Sequence, residues 1–175
     1  MLFISGLFAA ILTACKSKPE TDKNNPFFSE YATPFNVPPF EKIMARHYMP
    51  AFEKGMEEGR KDIQRLIKNR EEPNFENTIG ALDKAGDLLT KVSSVFFAQA
   101  SANTSDSLKT IEIEISPRLA GHNDEIRLNP DLFKRIKKVY DTQESQNLTP
   151  EQKFILENLY KEFVRNGANL SKQDQ

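Results

Sequence analysis

The sequence predicts an all-α protein: a body of several helices that follows an extended proline-rich arm. Three observations carry this. Beyond position 48, apolar residues recur at steps of three and four, the period of a helix with one buried face. Prolines stand at the heads of these runs, where a missing N–H costs little. Only Thr110 to Ser116 alternates like a strand, and a lone strand has no partner for its backbone groups.

The chain has 175 residues, which suggests one domain. Lys+Arg (24) nearly balance Asp+Glu (25), so the charge gives no ground for a polyanion and no nucleic-acid partner is expected.

Residues 1–14, MLFISGLFAAILTA, are uncharged and mostly apolar. As a helix they would rise roughly 21 Å, short of the ~30 Å hydrocarbon core, which predicts an export signal peptide instead of a membrane span. Leu12-Thr13-Ala14-Cys15 resembles the bacterial lipoprotein box, although no Lys or Arg precedes the apolar run. Cys15 is the only cysteine, with no disulfide partner in an exported chain. It is the expected lipidation site, which would anchor the protein to a membrane on the periplasmic or cell-surface side. Residues 15–39 hold five of the ten prolines and read as a lipidated tether and extended arm. Phe27, Phe28, Tyr31, Phe35 and Phe40 make its second half too apolar for a free linker, so it is expected to lie against the body.

The helical region spans 40–175. Pro50, Pro73, Pro130 and Pro150 are expected at helix starts. From Met49, the residues Phe52, Met56, Gly59, Ile63, Leu66 and Ile67 trace an amphipathic helix of about five turns, with Glu57 and Lys61 paired across one turn. Asn74 is placed as the N-cap of the next helix, with Glu76 near its positive end. Phe75, Ile79, Leu82, Gly86, Leu89, Phe96 and Ala100 follow on one face, and Leu88, Val92 and Val95 widen the stripe. Leu108, Ile111, Ile115 and Leu119 share a helical face, so the alternating segment is also expected to be helix, kinked or interrupted at Pro117. Asn129-Pro130-Asp131 and Thr149-Pro150-Glu151-Gln152 are start signals for two further helices. The first carries Leu132, Phe133, Ile136, Val139 and Tyr140; its basic run Lys134, Arg135, Lys137, Lys138 reads as a solvated face. The second carries Ile155, Leu156, Leu159, Tyr160, Phe163 and Val164 and stops at Gly167. Ser171 to Asp174 again have the character of a helix start, so the region is expected to be incomplete at its C-terminus.

No local chemistry stands out. The chain has no H-E-x-x-H, no Gly-x-Ser-x-Gly and no phosphate-cradling glycine loop. Its two histidines, His47 and His122, read as partly buried packing or hydrogen-bonding residues. Glu57 and Glu58, like Glu112 and Glu114, point in divergent directions from a helix and do not form an acid–base pair.

Five phrases nevertheless fall in order and spacing: the stretch from Asn25 to Ile63, PNFENTIGALDKAG, LLTKVSSVFFAQAS, EISPRLAGHNDEIRLNPDLFKRI and LTPEQKFILENLYKEFVRNGANLS. Together they resemble the amino-terminal region of the Dcp-like peptidyl-dipeptidases, in the family of thimet oligopeptidase, neurolysin and oligopeptidase A. The resemblance implies the multi-helix N-terminal part of an elongated, helical zinc metallopeptidase whose two lobes enclose a channel for short peptides. It implies zinc held by the two histidines of an H-E-x-x-H helix and a downstream Glu, with the Glu inside the motif activating water. None of those residues is in this chain. No catalytic and no metal-binding residue is therefore assigned, and substrate-binding residues are unknown. The chain alone is expected to lack zinc, to be inactive and to supply part of the channel wall. The other reading is a standalone helical lipoprotein acting as a peptide-binding or interaction module.

Overall fold

The computed structural model describes residues 24–103 and 105–170, and among these there is no strand. The expected export signal, the expected lipidation site Cys15 and the expected helix start at Ser171 lie outside the described residues.

Helix α1, Ala45–Lys68, is the spine. At 1.5 Å per residue it runs about 36 Å and contributes to two separate apolar cores. It begins four residues earlier than its apolar period suggests, so Pro50 lies inside the helix and not at its start. The start is set by His47, whose Nδ1 accepts the Met44 N–H at 3.1 Å and satisfies an otherwise orphaned donor. Past the first turn, the missing N–H of Pro50 forfeits one bond, to the Arg46 carbonyl.

The first core surrounds the front half of α1. Tyr48, Phe52 and Met56 meet Val92, Val95 and Phe96 of helix α3 (Asp87–Ala102) and Leu108 and Ile115 of helix α4 (Asp106–Arg127). The Phe96 ring packs edge-on against Tyr48 and Phe52, at centroid distances of 4.9 and 5.4 Å, a geometry favoured by the ring quadrupoles. The arm enters here as well. Phe27, on the 3-10 turn Pro26–Phe28, is buried 5.3 Å from the Tyr48 ring, and Phe28 and Tyr31 pack around it. The expected docking of the arm holds for these three. It fails for Phe35, 99% exposed, and for Phe40, 44% exposed: three prolines between Pro34 and Pro39 carry the chain away from the core before α1 begins.

The second core lies at the far end of α1. Ile63 and Leu66 meet Ile79, Leu132, Ile136, Val139, Leu156 and Phe163. Helix α5, Pro130–Asp141, and helix α6, Pro150–Arg165, start at the prolines as expected. Asn129 accepts from the N–H groups of Asp131 and Leu132, and Thr149 and Gln152 form a reciprocal capping box. At the end of α6, Gly167 takes φ +89. Ala168 N–H bonds Phe163 O and Gly167 N–H bonds Val164 O, closing the last turn in a Schellman motif. Ile155, expected inside, is 50% exposed; Leu156 and Phe163 fill the core in its place.

Between the cores the structure departs from the single long helix expected after Asn74. Asn74 does cap it: its Oδ1 accepts the Asn77 N–H at 2.8 Å, and Asn77 returns the bond. The helix opens as a π-turn, Phe75–Gly80, and runs into a short α2, Ala81–Asp83. It then breaks at Gly86, where φ is +76. Such a backbone suits glycine alone, and the Gly86 N–H turns to Asp62 Oδ2 of α1 at 3.1 Å. The break re-aims α3 along the front of α1. By contrast Pro117 does not interrupt α4, which continues through it to Arg127. Pro117 is exposed, so the carbonyl it leaves unbonded is at the wet side of the helix.

Candidate functional site

Catalysis by a metal or an acid–base pair requires several donors to converge. Among the described residues no group of three or more His, Cys, Asp or Glu side chains is placed to hold a metal ion. His47 sits in the first turn of α1 and is committed to the cap there. His122, on α4, faces Gly59, twelve residues further along α1, or about 18 Å by helical rise. The two do not come together, and among the described residues the donors do not fit a zinc site. The acids expected to be solvated are engaged on the surface: Glu57 with Lys61 at 2.6 Å, Glu58 with Lys54, and Glu114 with Arg118.

What the fold does assemble is a set of buried polar junctions. At the first, α1 meets α3 and α4 through small residues. A Cβ on Gly55 would lie 2.9 Å from Leu89 Cα, and one on Gly59 would lie 3.3 Å from His122 Nε2. Glycine at both positions lets the neighbours approach this closely. His122 is 3% exposed, and its Nδ1 has no hydrogen-bond partner. Burial pushes its pKa below the ordinary imidazole value, Arg60 pushes it the same way, and Glu125 opposes them. The imidazole is therefore held neutral.

The second junction was missed in the sequence. Arg135 lies in the basic run of α5 but is 8% exposed. Its Nη1 donates to Asn69 O at 2.7 Å, and Nη2 reaches Asn77 Oδ1 and Thr78 Oγ1 at 3.3 and 3.4 Å. It caps the C-terminal end of α1 and ties it to the π-turn, where a cation is favoured by the helix dipole. The reading of the whole run as a solvated face thus fails at one residue. A signal was available, for Leu132, Arg135, Ile136 and Val139 share the inward stripe at steps of three and four. Lys134, Lys137 and Lys138 are exposed as expected.

The third junction binds the arm. Asn25 is buried and donates to His47 O. Lys91 donates to Phe27 O and Ser29 O and lies 3.9 Å over the Tyr31 ring, while Lys54 lies 4.1 Å over Phe28. Burial lowers the Lys91 pKa, against the pull of Glu30. Burial, with a smaller contribution from Tyr31, raises Tyr48 to about 12, so its hydroxyl stays neutral and bonds Gln99.

These junctions hold helices together and present no nucleophile. They belong to an all-helical segment of several helices. The chain is 39% identical to dipeptidyl carboxypeptidase of Escherichia coli (strain K12) over 151 residues, 86% of this chain and 22% of the relative. It is 34% identical to dipeptidyl carboxypeptidase of Salmonella typhimurium over the same shares. To oligopeptidase A of Escherichia coli it is 26% identical over 143 residues, 82% of this chain and 21% of that protein. No family model matches the chain. Over most of its length the chain is thus homologous to a portion of bacterial dipeptidyl carboxypeptidases and, more distantly, of oligopeptidase A. It spans about a fifth of the length of these relatives.

Proposed function

We propose that the chain serves as the helical N-terminal part of an exported, zinc-dependent peptidyl-dipeptidase that removes dipeptides from short peptides. The observation that carries this is the 39% identity to a dipeptidyl carboxypeptidase across 86% of the chain. The zinc, the H-E-x-x-H motif and the water-activating Glu belong to sequence outside these 175 residues, since the chain contains no such motif. In the complete enzyme the helices described above form part of the wall that admits short peptides to the channel. Cys15 carries the lipid that holds the enzyme to the membrane, and the apolar run 1–14 directs export. Among the described residues no helix is long and apolar enough to cross a membrane.

The test is direct. The purified chain is dialysed against zinc, its metal content measured, and release of C-terminal dipeptides from a blocked tetrapeptide followed. Neither stoichiometric zinc nor dipeptide release is expected; finding both overturns the assignment. Anchoring is tested separately by labelled-palmitate incorporation in the bacterial host, which Cys15→Ser abolishes.

One observation favours the second reading, a standalone helical lipoprotein acting as a peptide-binding or interaction module. The described residues close two cores of their own, with caps at the starts of α4, α5 and α6. Calorimetric titration of the purified chain with short peptides decides it, since saturable binding without cleavage is the outcome that module requires.

A further inference from the structure

Residues 35–44 gather apolar side chains on the outside of the molecule. Nine large apolar residues are exposed among the described residues, and four of them, Phe35, Val37, Phe40 and Met44, fall in this one stretch. Such clustering marks a surface that meets something less polar than water, whereas single exposed apolar residues need no explanation. The stretch is held in shape. Val37 N–H bonds Pro34 O and Lys42 N–H bonds Pro39 O, while Pro39 and Ile43 are buried at its base, Ile43 within the first core. Phe35 is 99% exposed and takes φ +57, with Asn36 beside it at φ +55. A bulky residue rarely adopts that backbone, and the fold keeps it there without covering the ring.

The position of the stretch selects what covers it. Met44, at its end, is tied to the head of α1 through His47 Nδ1, and Asn25, where the arm enters, is tied to the same turn through His47 O. From Cys15 to Asn25 the chain reaches at most about 36 Å, so a lipid on Cys15 would hold this end of α1 to the membrane. Of the charged residues here, Glu41 is outnumbered by Lys42 and Arg46, all three exposed. Aromatic rings settle at the headgroup level of a bilayer, and basic side chains are drawn to anionic lipid. Other exposed apolar residues lack this setting: Ile113 stands between Glu112 and Glu114, and Phe154 and Ile155 lie on α6, which packs into the second core at the far end of α1.

We propose that residues 35–44 form a membrane-contact loop, in which Phe35, Val37, Phe40 and Met44 enter the interfacial layer of a lipid bilayer. This rests on the reading of Cys15 as the lipid anchor. To that anchor it adds a second contact, one that turns the head of α1 toward the bilayer and leaves α6 on the side away from it.

The chain has no tryptophan, so a single introduced one reports alone. Phe35→Trp and Phe154→Trp are made in the full chain and mixed with vesicles of phosphatidylethanolamine and phosphatidylglycerol, with and without brominated acyl chains. Both variants carry the same apolar run 1–14, so a difference between them is local. Emission from position 35 is expected to shift to the blue on adding vesicles and to be quenched by the brominated lipid, while position 154 does neither. No change at position 35 overturns the proposal, and so does equal quenching at position 154, which would mean binding without orientation. A blue shift at position 35 that needs no vesicles and grows with protein concentration identifies a second copy as the occupant and overturns it too. Palmitate labelling in the host separates the loop from the anchor. Label on Cys15 without quenching at position 35 removes the loop alone; quenching at position 35 without label supports the loop and removes the anchor. If Phe35→Trp melts below the parent, Phe40→Trp decides by the same outcomes.

Discussion

Asn25 donates its side-chain amide to the backbone carbonyl of His47, 2.8 Å away and twenty-two residues on. The same side chain accepts the Phe27 N–H at 3.1 Å, so one buried residue both starts the arm's turn and pins it to the head of α1. Asn25→Ala removes a buried partner from His47 O and is expected to cost about 1–3 kcal/mol. Phe27→Ala empties a site closed by Tyr48 and is expected to cost about 3–5 kcal/mol. Urea unfolding measures both. A midpoint unmoved by Phe27→Ala would show that the arm is not part of the first core.

Two glycines in helices should respond to alanine with opposite signs. At Gly55 the new methyl would stand 2.9 Å from Leu89 Cα, a backbone atom that cannot step aside without moving α3. Overpacking of this kind costs about 1–3 kcal/mol, more than the gain in helix propensity of about 1 kcal/mol. At Gly121 nothing lies within 4 Å of the added atom, so the propensity gain remains and Gly121→Ala should stabilise by up to about 1 kcal/mol. Thermal melts of the two variants on either side of the parent are the expected result; equal shifts in one direction refute the packing argument.

The helical class and most of the caps were legible because they are local. Asn74, Asn129, Thr149 and Gly167 act on residues within a turn of themselves, and the sequence shows that turn. The features that escaped depend on contacts between distant segments. Gly86 reads as one more small residue on a helical stripe until Asp62, twenty-four positions earlier, is seen to take its N–H. Pro50 looks like a helix start because the nitrogen of His47 that caps α1 one turn earlier leaves no mark in hydrophobic period. Of a site the sequence offers no local motif and only a resemblance, which implies a zinc centre built from an H-E-x-x-H motif that this chain does not contain.

Arg135 should be intolerant of lysine. The guanidinium spreads its donors over Asn69 O, Asn77 Oδ1 and Thr78 Oγ1, and a single ammonium cannot reach all three with the same geometry. Arg135→Lys is expected to cost about 1–3 kcal/mol, the penalty for leaving buried polar groups unpaired, whereas Lys134→Ala, on the exposed side of α5, should stay within about 0.5 kcal/mol. Denaturant midpoints of the pair test this; equal effects would mean Arg135 is only a surface charge.

Asn74 offers a purely local test. Its side chain is exposed and accepts the Asn77 N–H at the head of the π-turn. Asn74→Ala should cost about 1 kcal/mol, while Asn74→Ser or Asn74→Asp should recover most of it. Loss of stability in all three variants alike would move the role of Asn74 from capping to some other contact.

The pH dependence of stability should carry the mark of His122. The imidazole is buried against Gly59, with the Arg60–Glu125 and Glu53–Arg118 pairs bordering it, and burial lowers its pKa in the folded chain. In the unfolded chain it titrates near the ordinary value of about 6.5. Above that pH both states hold it neutral and its contribution is complete. As the pH falls below, the unfolded chain takes up a proton that the folded chain refuses, so stability drops until the folded pKa is reached. Carboxylates add their own slopes in the same range, so the informative quantity is a difference between proteins. The stability gap between the parent and His122→Leu, measured by urea unfolding from pH 8 to pH 5, should be constant at the upper end and shift against the parent below about pH 6.5. A gap that stays flat over the whole range would mean that the buried imidazole accepts its proton in the folded state as readily as in the unfolded one.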